Sequence, residues 1–195
     1  MELVLATRNK GKIREIRDAL HVPGLLIRTY EDFGEWPEVE ETGETLEENA
    51  LLKANMLCGG LGMPALADDS GLMVDALDGR PGARSSRYAG PEGDPERNMD
   101  RLLEELEGVP PELRTARFVC VLALVTPEGE SFLTRGECEG RILERRRGGG
   151  GFGYDPVFLP EGFERSMAEL DVEEKNSISH RGRAMAAMRE LMETA

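Results

Sequence analysis

The chain has 195 residues and a formal net charge of −14 at pH 7. The length limits the number of domains, and the charge limits the classes of binding partner. A chain of this length can bury the core of one domain, which we expect to span residues 1–195. So acidic a surface disfavours DNA, RNA and anionic membranes as partners, although a small anionic ligand remains compatible with it. The sequence also contains no apolar run long enough to span a bilayer.

The cysteines and histidines indicate which cellular compartment the chain occupies and which metals it could bind. Cys58, Cys120 and Cys138 have no CxxC spacing and cannot all pair, which predicts a reducing, cytoplasmic compartment. The first residues lack the basic and apolar pattern of a signal peptide. The two histidines, His21 and His180, form no His/Cys cluster, so zinc is not expected. A catalytic metal should therefore have oxygen ligands, as Mg²⁺ or Mn²⁺ does.

The chain begins with a pattern typical of an α/β sheet. Residues 3–6 predict a buried strand, and Ile13, Ile16 and Leu20 recur at helical spacing. The loop between them, residues 7–12, therefore lies where ligands bind in open α/β sheets. Free N–H groups and the dipole of the helix would favour an anion there. Because Walker glycine spacing is absent, a plain connecting loop is the alternative.

A strongly acidic segment, residues 31–48, comes next. Thr45 begins a helix through a capping box with the glutamate three positions later. The apolar face of this helix consists of Leu46, Ala50, Ala54 and Leu57. Helix capping does not account for Glu40 and Glu41, which precede the helix. Lys53 flanks the apolar face, where it could face a ligand or simply extend its charge to solvent.

Two adjacent carboxylates, Asp68 and Asp69, follow an apolar run at residues 63–67. Carboxylates placed side by side with little water repel each other, and a divalent cation would remove that cost. The alternative is a solvated turn, because Asp, Ser and Gly are turn formers. Residues 72–74 then continue as a strand or as a short helix.

The rest of the chain predicts further strands and helices. Strands are expected at residues 25–27, 118–125, 131–134, 136–142 and 157–159. Helices are expected from Asp94 to Gly108 and at the carboxyl end, with a helical turn at residues 166–170. We find no repeat or linker that would mark a domain boundary.

A glycine-rich stretch at residues 148–156 contains Phe152, Tyr154 and Asp155. Glycines allow the backbone to approach a ligand closely, and any nucleobase stacks on an aromatic ring. This composition suggests a base-binding platform. A surface loop whose aromatic side chains anchor it to the core is an equally good interpretation.

The carboxyl-terminal helix is predicted to carry His180 and Arg181 in its first turn, after a cap at Ser177 or Ser179. Cations there oppose the helix dipole, and a bound anion would offset that cost. The lysines give a related signal, because all of them lie in candidate ligand segments: Lys10, Lys12, Lys53 and Lys175. Lysine is a compact point charge that suits phosphate.

Five segments, in this order and spacing, resemble the inosine triphosphate pyrophosphatase family, which acts on ITP, dITP and XTP. They are residues 7–12, 40–50, 67–72, 151–156 and 175–181. The likeness runs from Leu3 to about Arg183. Many members carry glycine where this chain has Arg8, which leaves the role of that residue open.

The resemblance implies hydrolysis of a non-standard purine nucleoside triphosphate to the monophosphate and pyrophosphate. It implies an α/β fold, namely an elongated mixed sheet flanked by helices, with the nucleotide in a cleft between two lobes. Members are usually cytoplasmic homodimers that use Mg²⁺, for which Mn²⁺ can substitute. Sequence features leave two alternatives open: a related pyrophosphatase for modified pyrimidine triphosphates, and a non-catalytic nucleotide-sensing protein.

The resemblance also implies residue roles. Asp69 matches the family's proton acceptor and would hold the metal together with Glu40, with Asp68 as a water-mediated or neighbouring ligand. Phe152 would stack on the purine, and a donor from Arg181 to O6 would favour a keto group over the adenine amino group. The full set expected to bind the nucleotide is Thr7, Arg8, Asn9, Lys10, Gly11, Lys12, Lys53, Ser70, Phe152, Gly153, Tyr154, Asp155, Lys175, His180 and Arg181.

Overall fold

A computed structural model describes residues 2–37 and 39–194, and it confirms the predicted α/β class. The strands are β1 (Glu2–Leu5), β2 (Leu26–Arg28), β3 (Ala65–Val74), β4 (Pro81–Gly82), β5 (Thr115–Val125), β6 (Ser131–Ile142) and β7 (Phe158–Pro160). The helices are α1 (Lys10–Ala19), α2 (Leu46–Leu61), α3 (Pro95–Glu105), α4 (Val172–Ile178) and α5 (His180–Thr194).

The strands form one mixed sheet. Their order is β2-β1-β3-β5-β6-β7, and β4 pairs with β3. β1 is parallel to both β2 and β3, whereas β4 is antiparallel to β3 and β7 is antiparallel to β6. β1 is followed by α1, so the strand, loop and helix predicted from the opening of the sequence are confirmed.

The structure decides between the alternatives left open for residues 65–74, and it corrects the predictions for residues 131–142 and for the segment before α5. Residues 65–74 are one continuous strand, so the interpretation of Asp68 and Asp69 as a solvated turn is wrong. The two short strands predicted within residues 131–142 are one strand, β6. α4, which begins after Asp171 through a capping box, was not predicted from the sequence. α5 begins at His180, as predicted.

The described chain divides into two compact units. Unit 1 contains the residues up to Asp69, Cys120–Gly136 and the residues from Arg181 onward; unit 2 contains Ser70–Val119 and Glu137–His180. The prediction of a single domain over residues 1–195 stays a prediction.

Each unit has its own apolar core. The core of unit 1 joins β1, α1, β3, β5 and α5, with Leu3, Leu5, Ile16, Leu66, Leu122 and Met185 almost fully buried. The core of unit 2 includes Leu72, Val74, Met99, Leu102, Val157 and Phe158. Burying one such side chain stabilises a protein by about 1.5–3 kcal/mol. These cores therefore hold rigidly the strand and helix positions that carry the polar side chains described below.

The three cysteines are buried, and none of them forms a disulfide in the described part of the chain. No helix in the described part of the chain is long and apolar enough to cross a membrane.

Candidate functional site

Adjacent residues of a strand point to opposite faces of the sheet, and β3 separates Asp68 from Asp69 in this way. Both side chains are buried. They nevertheless have different partners and opposite shifts of pKa. One strand thus produces two chemically distinct carboxylates from neighbouring positions.

Asp68 lies at the centre of a buried ion network in unit 1. Its Oδ1 is 2.5 Å from Lys12 Nζ, and its Oδ2 accepts a hydrogen bond from Arg181 Nε at 2.6 Å. Arg181 also pairs with Glu15, and the thiol of Cys120 lies 3.4 Å from Asp68 Oδ2. Burial alone would raise the pKa of Asp68, but Arg181 and Lys12 outweigh it and hold that pKa well below its usual range. Asp68 is therefore an ionised partner for two cations at neutral pH.

Asp69 belongs to a second group in unit 1, the Asp69 cluster, formed by Glu41, Lys53 and Asp69. Lys53 Nζ donates to Asp69 Oδ1 at 2.6 Å, to Glu41 Oε1 at 2.9 Å and to the Asp68 carbonyl at 2.8 Å. Burial raises the pKa of Asp69, and the attraction of Lys53 and Lys12 offsets this only in part. Among the described residues, Asp69 Oδ2 has no hydrogen-bond partner. Asp69 thus combines raised basicity with a buried oxygen that lacks a hydrogen-bond partner within the described chain.

The sequence predicted free N–H groups at the start of α1, and the structure differs from that prediction. The side chain of Asn9 caps α1 by accepting from Gly11 N at 2.9 Å and Lys12 N at 3.2 Å. Two N–H groups that could have met an anion are therefore occupied, and that part of the expectation is wrong. The loop instead contributes Lys12, whose Nζ reaches Asp68. Arg8 and Lys10 are exposed, and Thr7 Oγ1 accepts from Asn9 N.

The acidic segment contributes Glu41 to the Asp69 cluster. Glu40, the predicted metal ligand, is exposed, whereas the carboxylate of Glu41 contacts Lys53. Both glutamates stand out in the sequence because helix capping does not account for them, but no sequence signal distinguishes one from the other. A metal role for Glu40 stays a prediction, while the geometry favours Glu41.

The charged side chains of the Asp68 network and the Asp69 cluster carry a net negative charge, which is compatible with a divalent cation. The two groups together contain Lys12, Lys53 and Arg181 against four carboxylates, namely Glu15, Glu41, Asp68 and Asp69, so three positive charges face four negative ones. One carboxylate oxygen also lacks a partner. No group of three or more His, Cys, Asp or Glu in the described chain could hold a metal ion by itself. Two carboxylates that share a cation with phosphate oxygens are the coordination that Mg²⁺ commonly adopts.

Unit 2 carries a second cluster, formed by Phe152, Asp155 and Lys175. Asp155 Oδ2 accepts from Phe152 N at 2.8 Å and from Lys175 Nζ at 2.6 Å. The ammonium group of Lys175 lies 4.7 Å from the centre of the Phe152 ring, a cation–π distance. Gly151 has φ +69°, and a Cβ atom there would lie 2.0 Å from Asp155 Oδ2. Glycine is therefore required next to the half-buried ring of Phe152.

Three further predicted residues take part in internal contacts. Tyr154 is buried in the core of unit 2 and donates its hydroxyl to the Ser85 carbonyl at 2.8 Å, so the interpretation as a core anchor is confirmed for this aromatic. His180 stacks on Phe118 with ring centres 4.8 Å apart. Arg181 is buried in the Asp68 network. Contact of these side chains with a base stays a prediction, as it does for the half-buried Ser70 and Gly153.

The sequence of the chain decides its family. A family model described as the Ham1 family matches residues 3–191. The chain belongs to the Ham1 family. The resemblance drawn from the five segments is thereby confirmed, because relatives of the chain in Geobacter sulfurreducens and Bacillus cereus are described as dITP/XTP pyrophosphatases.

Relatives of this Ham1-family chain match it over nearly its whole length. The dITP/XTP pyrophosphatase of Geobacter sulfurreducens is 53% identical over 188 residues, which cover 96% of this chain and 94% of the relative. That of Geobacillus kaustophilus is 50% identical over 193 residues, covering 98% and 94%. Among solved structures, a HAM1 protein from Coxiella burnetii superposes with a TM-score of 0.90 at 40% identity and covers both chains completely.

Proposed function

We propose that this protein hydrolyses the triphosphates of non-standard purines, namely dITP, ITP and XTP, to the monophosphate and pyrophosphate. The relatives at about half identity, described as dITP/XTP pyrophosphatases, support this substrate class. The single observation that supports catalysis is the buried Asp69, whose pKa is raised by burial and whose Oδ2 lacks a partner in the described structure. A nucleotide-binding protein without turnover has no need of such a base.

In the proposed reaction, Asp69 accepts a proton from the attacking water. The water oxygen bonds to phosphorus as the anhydride between the α- and β-phosphates breaks, and pyrophosphate leaves with the bridging oxygen. Charge accumulates on the phosphate oxygens in this step. Lys12 and Lys53 are the cations placed to stabilise it, and the side chain of Lys12 is 16% exposed.

Mg²⁺ is part of this proposal, with Mn²⁺ as a substitute. Glu41 and Asp69 would hold it, because both carboxylates already converge on one cation, Lys53. A bound divalent cation neutralises negative charge on phosphate oxygens. The proposal also includes a cytoplasmic location and a homodimeric state, and both are supported by the family resemblance alone.

The cluster in unit 2 would bind the base. Phe152 presents a half-buried ring; its backbone N donates to Asp155, and the ammonium group of Lys175 lies near the ring. A purine would stack on that ring, and Asp155 and Lys175 offer an acceptor and a donor for its polar edge.

One panel of assays tests the proposed function. The purified protein is incubated with Mg²⁺ and each of ATP, GTP, CTP, UTP, ITP, dITP and XTP, and pyrophosphate is measured separately from orthophosphate. We expect pyrophosphate from ITP, dITP and XTP at rates well above those from ATP and GTP. Turnover confined to modified pyrimidine triphosphates would identify the related pyrophosphatase instead. Binding of ITP without any product would identify a nucleotide sensor.

Removal of metal should abolish this activity. With EDTA in excess, we expect turnover of ITP to fall to background, because the negative charges of unit 1 and of the triphosphate would face each other without a divalent cation. Added Mg²⁺ or Mn²⁺ should restore it, whereas an equal concentration of Na⁺ should not. Unchanged turnover in EDTA would contradict the metal proposal.

Phe152→Ala should weaken substrate binding. Loss of base–aromatic stacking costs about 1–3 kcal/mol, so we expect KM for ITP to rise about 5- to 150-fold. Phe163→Ala is the matched control, because it removes another half-buried ring of unit 2. Equal KM values for the two variants would show that the base does not stack on Phe152.

A further inference from the structure

Asn49 is a fully buried polar side chain that the proposed mechanism does not use. It lies in α2, one helical turn before Lys53. Its Oδ1 accepts a hydrogen bond from Gly43 N at 2.8 Å, and its Nδ2 donates to Gly43 O at 3.3 Å. One side chain thus binds both backbone polar groups of a single loop residue.

The loop is pressed closely against the start of α2 at this point. A Cβ atom at Gly43 would lie 2.7 Å from Asn49 Oδ1 and 2.8 Å from Glu48 Cβ. The next two loop N–H groups, those of Glu44 and Thr45, are both directed at Glu48 Oε2, at 2.8 and 3.4 Å. The backbone of residues 43–45 is therefore fixed on the helix by two side chains, of which Asn49 alone is fully buried.

This arrangement determines where Glu41 can lie. Glu41 is two residues before Gly43, and its carboxylate meets Lys53 Nζ at 2.9 Å. Asn49 and Lys53 are four residues apart and share one face of α2. One face of one helix therefore fixes both the backbone of the loop and the carboxylate that the loop carries.

We infer that Asn49 is a positioning residue that holds the loop of residues 41–43 so that the Glu41 carboxylate joins the Asp69 cluster as a cation ligand. The inference rests on the proposed function, because it takes Glu41 and Asp69 as the ligands. Partners that orient a metal ligand influence metal affinity strongly even though they do not touch the metal. A side chain that served stability alone would leave that affinity unchanged.

Direct cation binding tests the inference without any turnover. Free Mn²⁺ is titrated into the full-length protein and followed by electron paramagnetic resonance, and thermal unfolding is recorded in EDTA. We expect Asn49→Ala to raise the Mn²⁺ Kd about 10- to 100-fold. Asn98→Ala is the matched control, because Asn98 is another buried asparagine that binds loop backbone, at Ala89 N and Ser86 O in unit 2. It should destabilise the protein without changing the Kd.

A double-mutant cycle shows whether Asn49 acts through Glu41. Glu41→Gln should weaken Mn²⁺ binding by itself, and adding Asn49→Ala to it should cause no further loss. Gly43→Ala provides a second route if Asn49→Ala does not fold, because it displaces the loop and leaves Asn49 in place; it should also raise the Kd.

Two contrary results can be told apart. If Glu41→Gln and Asp69→Asn bind Mn²⁺ like the wild type, the proposed metal site is wrong and the inference fails with it. If these two variants bind weakly while Asn49→Ala and Gly43→Ala match Asn98→Ala, the metal site stands and the positioning role of Asn49 is overturned.

Discussion

Asp69→Asn is expected to abolish turnover of ITP, with a fall in kcat of about 10²–10⁴-fold, while nucleotide binding stays measurable. The amide has the shape of the carboxylate but cannot accept a proton from water. Lys12 and Lys53 remain to attract the triphosphate, and the cluster of unit 2 that we propose to bind the base is unchanged. The measurement is a single-turnover assay, which separates the chemical step from binding, together with calorimetric titration of the variant with ITP.

Asp75→Asn is the control for this substitution. Asp75 is an exposed aspartate whose carboxylate contacts Thr115 and Arg117, so the same chemical change there should leave kcat within about twofold, as expected for a surface site. Substantial turnover by Asp69→Asn would remove Asp69 from the role of proton acceptor. Loss of both turnover and binding would indicate that Asp69 acts chiefly in holding the substrate.

Positions in the candidate site were predicted best from the sequence where only a few residue types can do the required chemistry. Lysine is scarce in this chain, and the structure places Lys12 and Lys53 beside the buried aspartates and Lys175 beside Phe152. The compact ammonium group suits such positions, since it can be surrounded by several oxygens. The capping residues Thr45 and Asp94 were likewise predicted correctly, because helix capping depends on local chain geometry.

Contacts between distant segments could not be predicted in this way. The guanidinium of Arg181 is buried between Asp68 and Glu15, which lie 113 and 166 residues away in sequence. The different environments of Asp68 and Asp69 follow from strand alternation, which applies only once the segment is known to be a strand. The choice of Glu41 over Glu40 depends on the loop geometry at Gly43. Spacing along the chain contains none of this information.

Asp68→Asn should strongly reduce stability at neutral pH. Arg181 and Lys12 would lose the charge of their central partner, and breaking a buried ion pair from one side costs about 3–5 kcal/mol. Asp75→Asn again serves as the control, because its half-exposed pair with Arg117 should contribute no more than about 1 kcal/mol. The free energy of unfolding is measured by urea titration in EDTA, so that divalent cations do not contribute.

The pH dependence of this loss follows from the direction of the pKa shift. The pKa of Asp68 is well below its usual range in the folded protein because Arg181 and Lys12 outweigh the effect of burial. The stabilisation is therefore complete above the unfolded pKa of about 3.9, and it is lost progressively as the pH falls from there toward the folded value. We expect the difference between wild type and Asp68→Asn to be largest at pH 6–7 and clearly smaller at pH 3. A difference that stays constant over this range would mean that Asp68 stabilises unit 1 through shape and hydrogen bonding, and not through its charge.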